Sequence, residues 1–118
     1  MSSPVVTTTP AATILEASKI MAKHRIGALI VVEDDMKLRG ILTERDILVK
    51  VLAAEKEYNA MNVEDVMTTD VYTVGMDATL LDISKIMNKH GIRHAVVMEG
   101  EKVMGIVTAR DLIELVSG

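Results

Sequence analysis

The chain carries the same pattern twice, and this duplication limits its possible folds more than any other feature. Sliding the sequence by 66 positions aligns Met1–Glu33 with Met67–Glu99, with 15 of the 33 pairs identical. After a one-residue length difference near Asp34 and Asp35, a slide of 65 aligns Lys37–Leu48 with Lys102–Ile113, with 6 of 12 identical. The repeating unit is about 50 residues long. A unit of that size buries too little surface to be comfortably stable alone. The two copies are therefore expected to pack together about a pseudo-twofold axis.

Within the first copy, β-branched Val5-Val6-Thr7-Thr8 reads as a short strand broken by Pro10. Thr13 followed by Glu16 is a capping box. Ile14, Ala17, Ile20 and Met21 recur at helical spacing, so a helix is predicted from about Thr13 to His24. The continuous apolar run Ala28–Val32 reads as a buried strand. Glu33–Lys37 reads as a turn and Leu38–Leu42 as the return strand. From Arg45, a stripe of Ile47, Leu48, Val51 and Leu52 predicts one helix to about Ala54. The second copy repeats the order: strand Val71–Val74, helix Thr79–His90, strands His94–Met98 and Val103–Val107, helix Arg110–Val116. The expected fold class is thus α/β (α+β), with two β-α-β-β-α repeats. Residues 1–55 form the first, 56–66 a connector and lead-in turn (Asn62–Met67), and 67–118 the second. The segment matching Asn62–Val66 has no counterpart before Met1, which predicts uncovered apolar surface.

Composition narrows the function. Phe, Trp and Cys are absent and the only aromatic residues are Tyr58 and Tyr72, so the core is predicted to be aliphatic, with nine Met filling gaps. Lack of cysteine excludes disulfides and thiolate metal sites and fits a cytoplasmic protein. A net charge of −4 without a basic face argues against nucleic acid. No apolar run approaches a membrane span, and Met-Ser-Ser-Pro does not resemble a leader. There is no P-loop, no catalytic Ser/His/Asp set and no pair of catalytic carboxylates, which disfavours an enzyme.

The chemistry concentrates at Gly40-Ile-Leu-Thr43-Glu-Arg45-Asp46 and Gly105-Ile-Val-Thr108-Ala-Arg110-Asp111. In each, a strand hands over to a helix whose first N–H groups favour anions. A carboxylate can accept from two vicinal hydroxyls, and a guanidinium matches phosphate oxygens. The same Thr-x-x-Asp spacing is also a helix cap. Thr13/Glu16 and Thr79/Asp82 carry that pattern where capping alone is expected.

Two β-α-β-β-α units with these runs, with Val63-Glu-Asp-Val-Met-Thr68 and with Ile92-Arg-His-Ala-Val-Val97, resemble tandem cystathionine β-synthase (CBS) domains, a Bateman module. The resemblance covers nearly the whole chain. It implies a non-catalytic regulatory module that binds adenosine-containing ligands in the cleft between its repeats: AMP, ADP, ATP, S-adenosylmethionine or NAD. By that resemblance the aspartate holds the ribose hydroxyls, the threonine contacts phosphate or ribose, and residues at the starts of the first two strands enclose adenine. The second-repeat site would comprise Tyr72, Thr73, Arg93, His94, Ala95, Thr108, Arg110 and Asp111. The first would comprise Val6, Thr7, Gly27, Ala28, Thr43, Arg45 and Asp46.

Arg93 and His94 stand opposite Gly27 and Ala28, so the second site is expected to be more positive and the first smaller and more neutral. His24 and His90, each ending a helix, are expected to interact with its dipole rather than bind a metal. No cofactor beyond the regulatory nucleotide is expected. Apolar helix stripes imply a homodimer. The competing function is a ligand-free dimerisation or interaction module within a larger assembly. The effector that reads either one is not legible in the chain.

Overall fold

Local capping and apolar spacing set out the same elements in both repeats, and the backbone follows them closely. The structure, a computed structural model, describes residues 5–117, with side chains as far as Ile113. Met1–Pro4, and with them the expectation about a leader, lie outside the described residues. The chain divides into a unit spanning Val6–Asp70 and a second one from Val71 onward.

In the first unit, β1 (Thr7–Thr8) is followed by α1 (Ile14–His24), β2 (Ala28–Glu33), β3 (Lys37–Thr43) and α2 (Glu44–Ile47). Thr13 starts α1 with extended backbone. Its hydroxyl accepts the Glu16 N–H, and the Glu16 carboxylate accepts the Thr13 N–H. Ile14, Ala17 and Met21 then fall on one face and are buried, as the 3.6-residue period requires. Lys23 and His24 occupy the last turn, where the helix dipole favours cations. Arg25 stops the helix in the left-handed region (φ 54°). β1 runs parallel to β2, and β2 antiparallel to β3. Leu29, Val31 and Leu42 pack with the α1 residues in one aliphatic core. The four residues Leu29–Val32 are all buried, which is why this strand is apolar without alternation.

The single helix expected from Arg45 to Ala54 is a correction. The α-helical turns stop at Ile47, and Leu48–Leu52 winds as a wider π-helix. The widening breaks the expected stripe: Val51 is buried, whereas Leu48 and Leu52 are exposed. It also leaves Lys50 able to reach back to Asp46 and across to Val66.

The lead-in to the second repeat docks on the first unit. A 3₁₀ turn, Val63–Asp65, is held against the start of α1 by three backbone bonds: Ile14 N–H to the Met61 carbonyl (2.9 Å), Val63 N–H to Ala12 (2.8 Å) and Glu64 N–H to Pro10 (3.0 Å). Val63 and Val66 join the core of this unit. Thr68 and Ile41 exchange both backbone bonds. Gly40 is required beside them, since a Cβ there would lie 2.7 Å from the Thr68 carbonyl oxygen. No side chain fits.

The second unit contains β4 (Thr73–Gly75), α3 (Leu80–His90), β5 (His94–Glu99), β6 (Lys102–Thr108) and α4 (Ala109–Ser117). Its three strands pair as in the first, β4 parallel to β5 and β5 antiparallel to β6. Both hairpins carry the same irregularity, between Val31 and Val32 and between Val97 and Met98. α3 ends on Gly91 at φ 64°, where the first unit places Arg25. Val74, Ile83, Met87, Ala95, Val97 and Val107 form its core. Leu80 and Leu81 at the start of α3 are 48 % and 63 % exposed, whereas Ile14, the repeat equivalent of Leu80, is 1 % exposed. Among the described residues, no helix is long and apolar enough to cross a membrane.

Candidate functional site

Each Thr-x-x-Asp run sits where its repeat turns from the last strand into a helix. In the second unit, the β5–β6 ladder pairs His94 with Thr108, and the Ala109 N–H donates to the Arg93 carbonyl at 2.8 Å. This places Arg93, His94, Thr108, Arg110 and Asp111 around one corner. The Asp111 carboxylate accepts the Thr108 N–H through Oδ2 at 2.8 Å, and the Thr108 hydroxyl accepts the Asp111 N–H at 3.2 Å. Asp111 is half-buried, and Arg93 and Arg110 are exposed.

Tyr72 and Thr73 lie one strand further out. The Tyr72 carbonyl accepts the Val96 N–H at 3.0 Å and Thr73 pairs with Val96, so β5 stands between them and Thr108. Tyr72 stacks on His90 at 4.3 Å between ring centroids. Residues 72 and 90 are distant in sequence and no periodicity links them. Their contact becomes visible only when β4 is set beside the end of α3. Ala95 is fully buried in the core, at the position of Leu29 in the other repeat. Its side chain is packing rather than lining.

The first corner has the same backbone. Ala28 pairs with Thr43, and the Glu44 N–H donates to the Gly27 carbonyl at 2.9 Å. The Asp46 Oδ2 accepts the Thr43 N–H at 3.0 Å, and the Thr43 hydroxyl accepts the Asp46 N–H. Val6 packs against the apolar core beside half-buried Thr7, and Arg45 is exposed. The charges differ from those expected. The Glu44 carboxylate lies over Gly27, 3.1 Å from where a Cβ would stand. Ala109 occupies the matching position in the second repeat. The first corner is therefore acidic there rather than simply more neutral. The signal was the variable second residue of Thr-x-Arg-Asp.

Asp46 is also more deeply held. It is 8 % exposed. The Thr68 hydroxyl donates to its Oδ1 at 3.1 Å and Oδ2 at 3.3 Å, and the Lys50 ammonium lies 3.0 Å from Oδ1. Thr13/Glu16 and Thr79/Asp82 form the same reciprocal caps on exposed surface. Those two carboxylates are held below their ordinary pKa, first by the backbone N–H they accept and then by the threonine hydroxyl. Capping geometry thus occurs at all four helix starts, and what separates the Asp46 and Asp111 corners is burial and neighbours. Among the described residues, no three His, Asp or Glu side chains converge as a metal site.

Comparison with known proteins agrees with the duplicated architecture. The CBS domain family model matches residues 1–53 and again 63–118. Hypoxic response protein 1 of Mycobacterium tuberculosis is 34 % identical over 100 residues, covering 85 % of this chain and 70 % of the relative. The CBS domain-containing protein YhcV of Bacillus subtilis is 35 % identical over 112 residues, covering 95 % and 79 %. Among solved structures, the CBS domain pair of protein MJ0100, in complex with 5′-methylthioadenosine and S-adenosyl-L-methionine, superimposes with a TM-score of 0.89. It is 35 % identical, and the match covers 100 % of this chain and 92 % of that one. With two β-α-β-β-α units, two strand-to-helix corners and two family matches, the chain belongs to the CBS domain family as a tandem pair.

Proposed function

We propose that this CBS pair is a non-catalytic regulatory module of the cytoplasm that binds a phosphorylated adenosine compound such as AMP, ADP or ATP at the Asp111 corner. The observation that carries this reading is the chemistry gathered there. A half-buried carboxylate that can accept two ribose hydroxyls stands beside the exposed guanidinium groups of Arg93 and Arg110 and the start of a nine-residue helix. At the other corner, Glu44 opposes phosphate. The adenosine-derived ligands of the MJ0100 domain pair, a 35 % identical relative, lend support to the choice of ligand class. Tyr72 and Thr73 are assigned to the adenine end.

Binding alone does not regulate anything; the ligand must favour one of two states. Exposed Leu80, Leu81 and Ile113 supply apolar surface for a homodimer whose association such a ligand would bias.

Thermal denaturation with adenine and guanine nucleotides and S-adenosylmethionine tests the proposal. A ligand at about 100 times its Kd adds roughly 2.7 kcal/mol, and a chain of this size gains about 4 °C per kcal/mol. AMP, ADP or ATP should therefore raise the Tm by about 10 °C, Asp111→Ala should abolish the shift, and guanine nucleotides should give none. No shift with any adenosine compound leaves the ligand-free interaction module as the function.

A further inference from the structure

The second inference concerns Asp46, and it rests on the reading above only for its ligand stoichiometry. Besides its cap, the Asp46 carboxylate is bonded by Thr68 and Lys50, and Lys50 donates in addition to the Val66 carbonyl at 3.0 Å. Thr68 and Val66 both belong to the lead-in segment docked on this unit. Three groups from two parts of the chain therefore converge on one carboxylate that is almost out of solvent. The Lys50 position is Leu115 in the second repeat, which cannot donate. Among the described residues, the Asp111 side chain accepts only from its own cap. We infer that the duplicated aspartates have divided their work: Asp46 is a latch that pins the Asn62–Thr68 segment to the first repeat, and Asp111 alone serves a ligand, so that each chain takes one nucleotide.

The division has a chemical reason. A ribose approaching Asp46 would have to displace a hydroxyl and an ammonium that already satisfy the carboxylate, while its phosphate would meet Glu44. Charge-assisted bonds of this kind are about twice as strong as neutral ones. The latch also closes the segment over Gly40 and Ile41, where Thr68 makes its two backbone bonds. Asp46 is thus a positioning residue. It acts on the segment that leads into the second repeat.

Hydrogen exchange and calorimetry on the full chain test the two halves separately. In Asp46→Ala, the Val63, Thr68 and Ile41 amides should exchange about tenfold faster than in wild type. The near-isosteric double variant Lys50→Met/Thr68→Val keeps the cap and should show the same acceleration, so the test survives if Asp46→Ala folds poorly. Asp111→Ala should leave these amides unchanged. Unchanged exchange in the double variant overturns the latch. Titration with AMP should give one site per chain, lost in Asp111→Ala and retained in Lys50→Met/Thr68→Val. Two equivalent sites in wild type overturn the division of work. Absence of any AMP binding removes the adenosine reading instead, and the exchange result still decides the latch.

Discussion

Replacing Ile14 with alanine should destabilise the protein by about 3 kcal/mol, while the same truncation at Leu80 should cost about 1 kcal/mol. The two residues are equivalent in the repeats, each being the first helical residue after a capping threonine. Ile14 is 1 % exposed because Val63 and Val66 of the docked segment complete its surroundings. Removing three of its carbons forfeits about 2.4 kcal/mol of transfer free energy at roughly 0.8 kcal/mol per methylene. The cavity left behind raises this toward the 2–5 kcal/mol typical of such truncations. Leu80 is 48 % exposed, so about half the transfer loss applies and no closed cavity forms. At about 4 °C per kcal/mol, the expected falls in Tm are about 12 °C and about 4 °C. Urea unfolding followed by circular dichroism gives the free energies directly, with unchanged m-values as a check on comparable unfolding. Equal losses at the two positions would refute the claim that the lead-in segment covers one repeat's helix start and not the other's.

Three further outcomes are expected. Gly40→Ala should cost about 1–3 kcal/mol, because the new Cβ meets backbone at the Thr68 carbonyl and the docked segment has to shift; exchange at the Thr68 amide should rise with it, and a neutral result would mean that the segment is not seated there. Arg25→Gly should stabilise by about 0.5–1 kcal/mol, since Arg25 caps α1 in the left-handed conformation that Gly91 adopts in the other repeat; a loss of Tm would show that the Arg25 side chain matters more than its backbone. Glu16 and Asp82 have folded pKa values depressed by their caps, so their contribution is complete above the ordinary carboxylate range and is lost as pH falls through the depressed values, below about pH 4. Glu16→Gln/Asp82→Asn should therefore flatten the acid limb of a Tm-against-pH curve, and a steeper limb would contradict the sign.

The candidate site was partly legible. Residues joined by local hydrogen bonds were readable, since Thr43 with Asp46 and Thr108 with Asp111 lie three residues apart and can meet only through the helix start between them. The partners that distinguish the two corners were not readable. Thr68 lies 22 residues from Asp46, and Lys50 was assigned to an ordinary helix whose π-widening no periodicity announces. Glu44 against Gly27 was visible as a letter but not as a charge at a fixed place.

The sequence by itself determined the repeat, the order of strands and helices, and their ends, because capping boxes and apolar spacing act within a few residues. Only tertiary structure decided which of two equivalent residues is covered. Ile14 and Leu80 follow the same local rule, yet one is sealed by a segment about 50 residues downstream and the other faces solvent. It also decided which aspartate is bound up inside the chain. Burial is a sum over neighbours from anywhere along the polypeptide, so a duplicated sequence does not produce a duplicated environment.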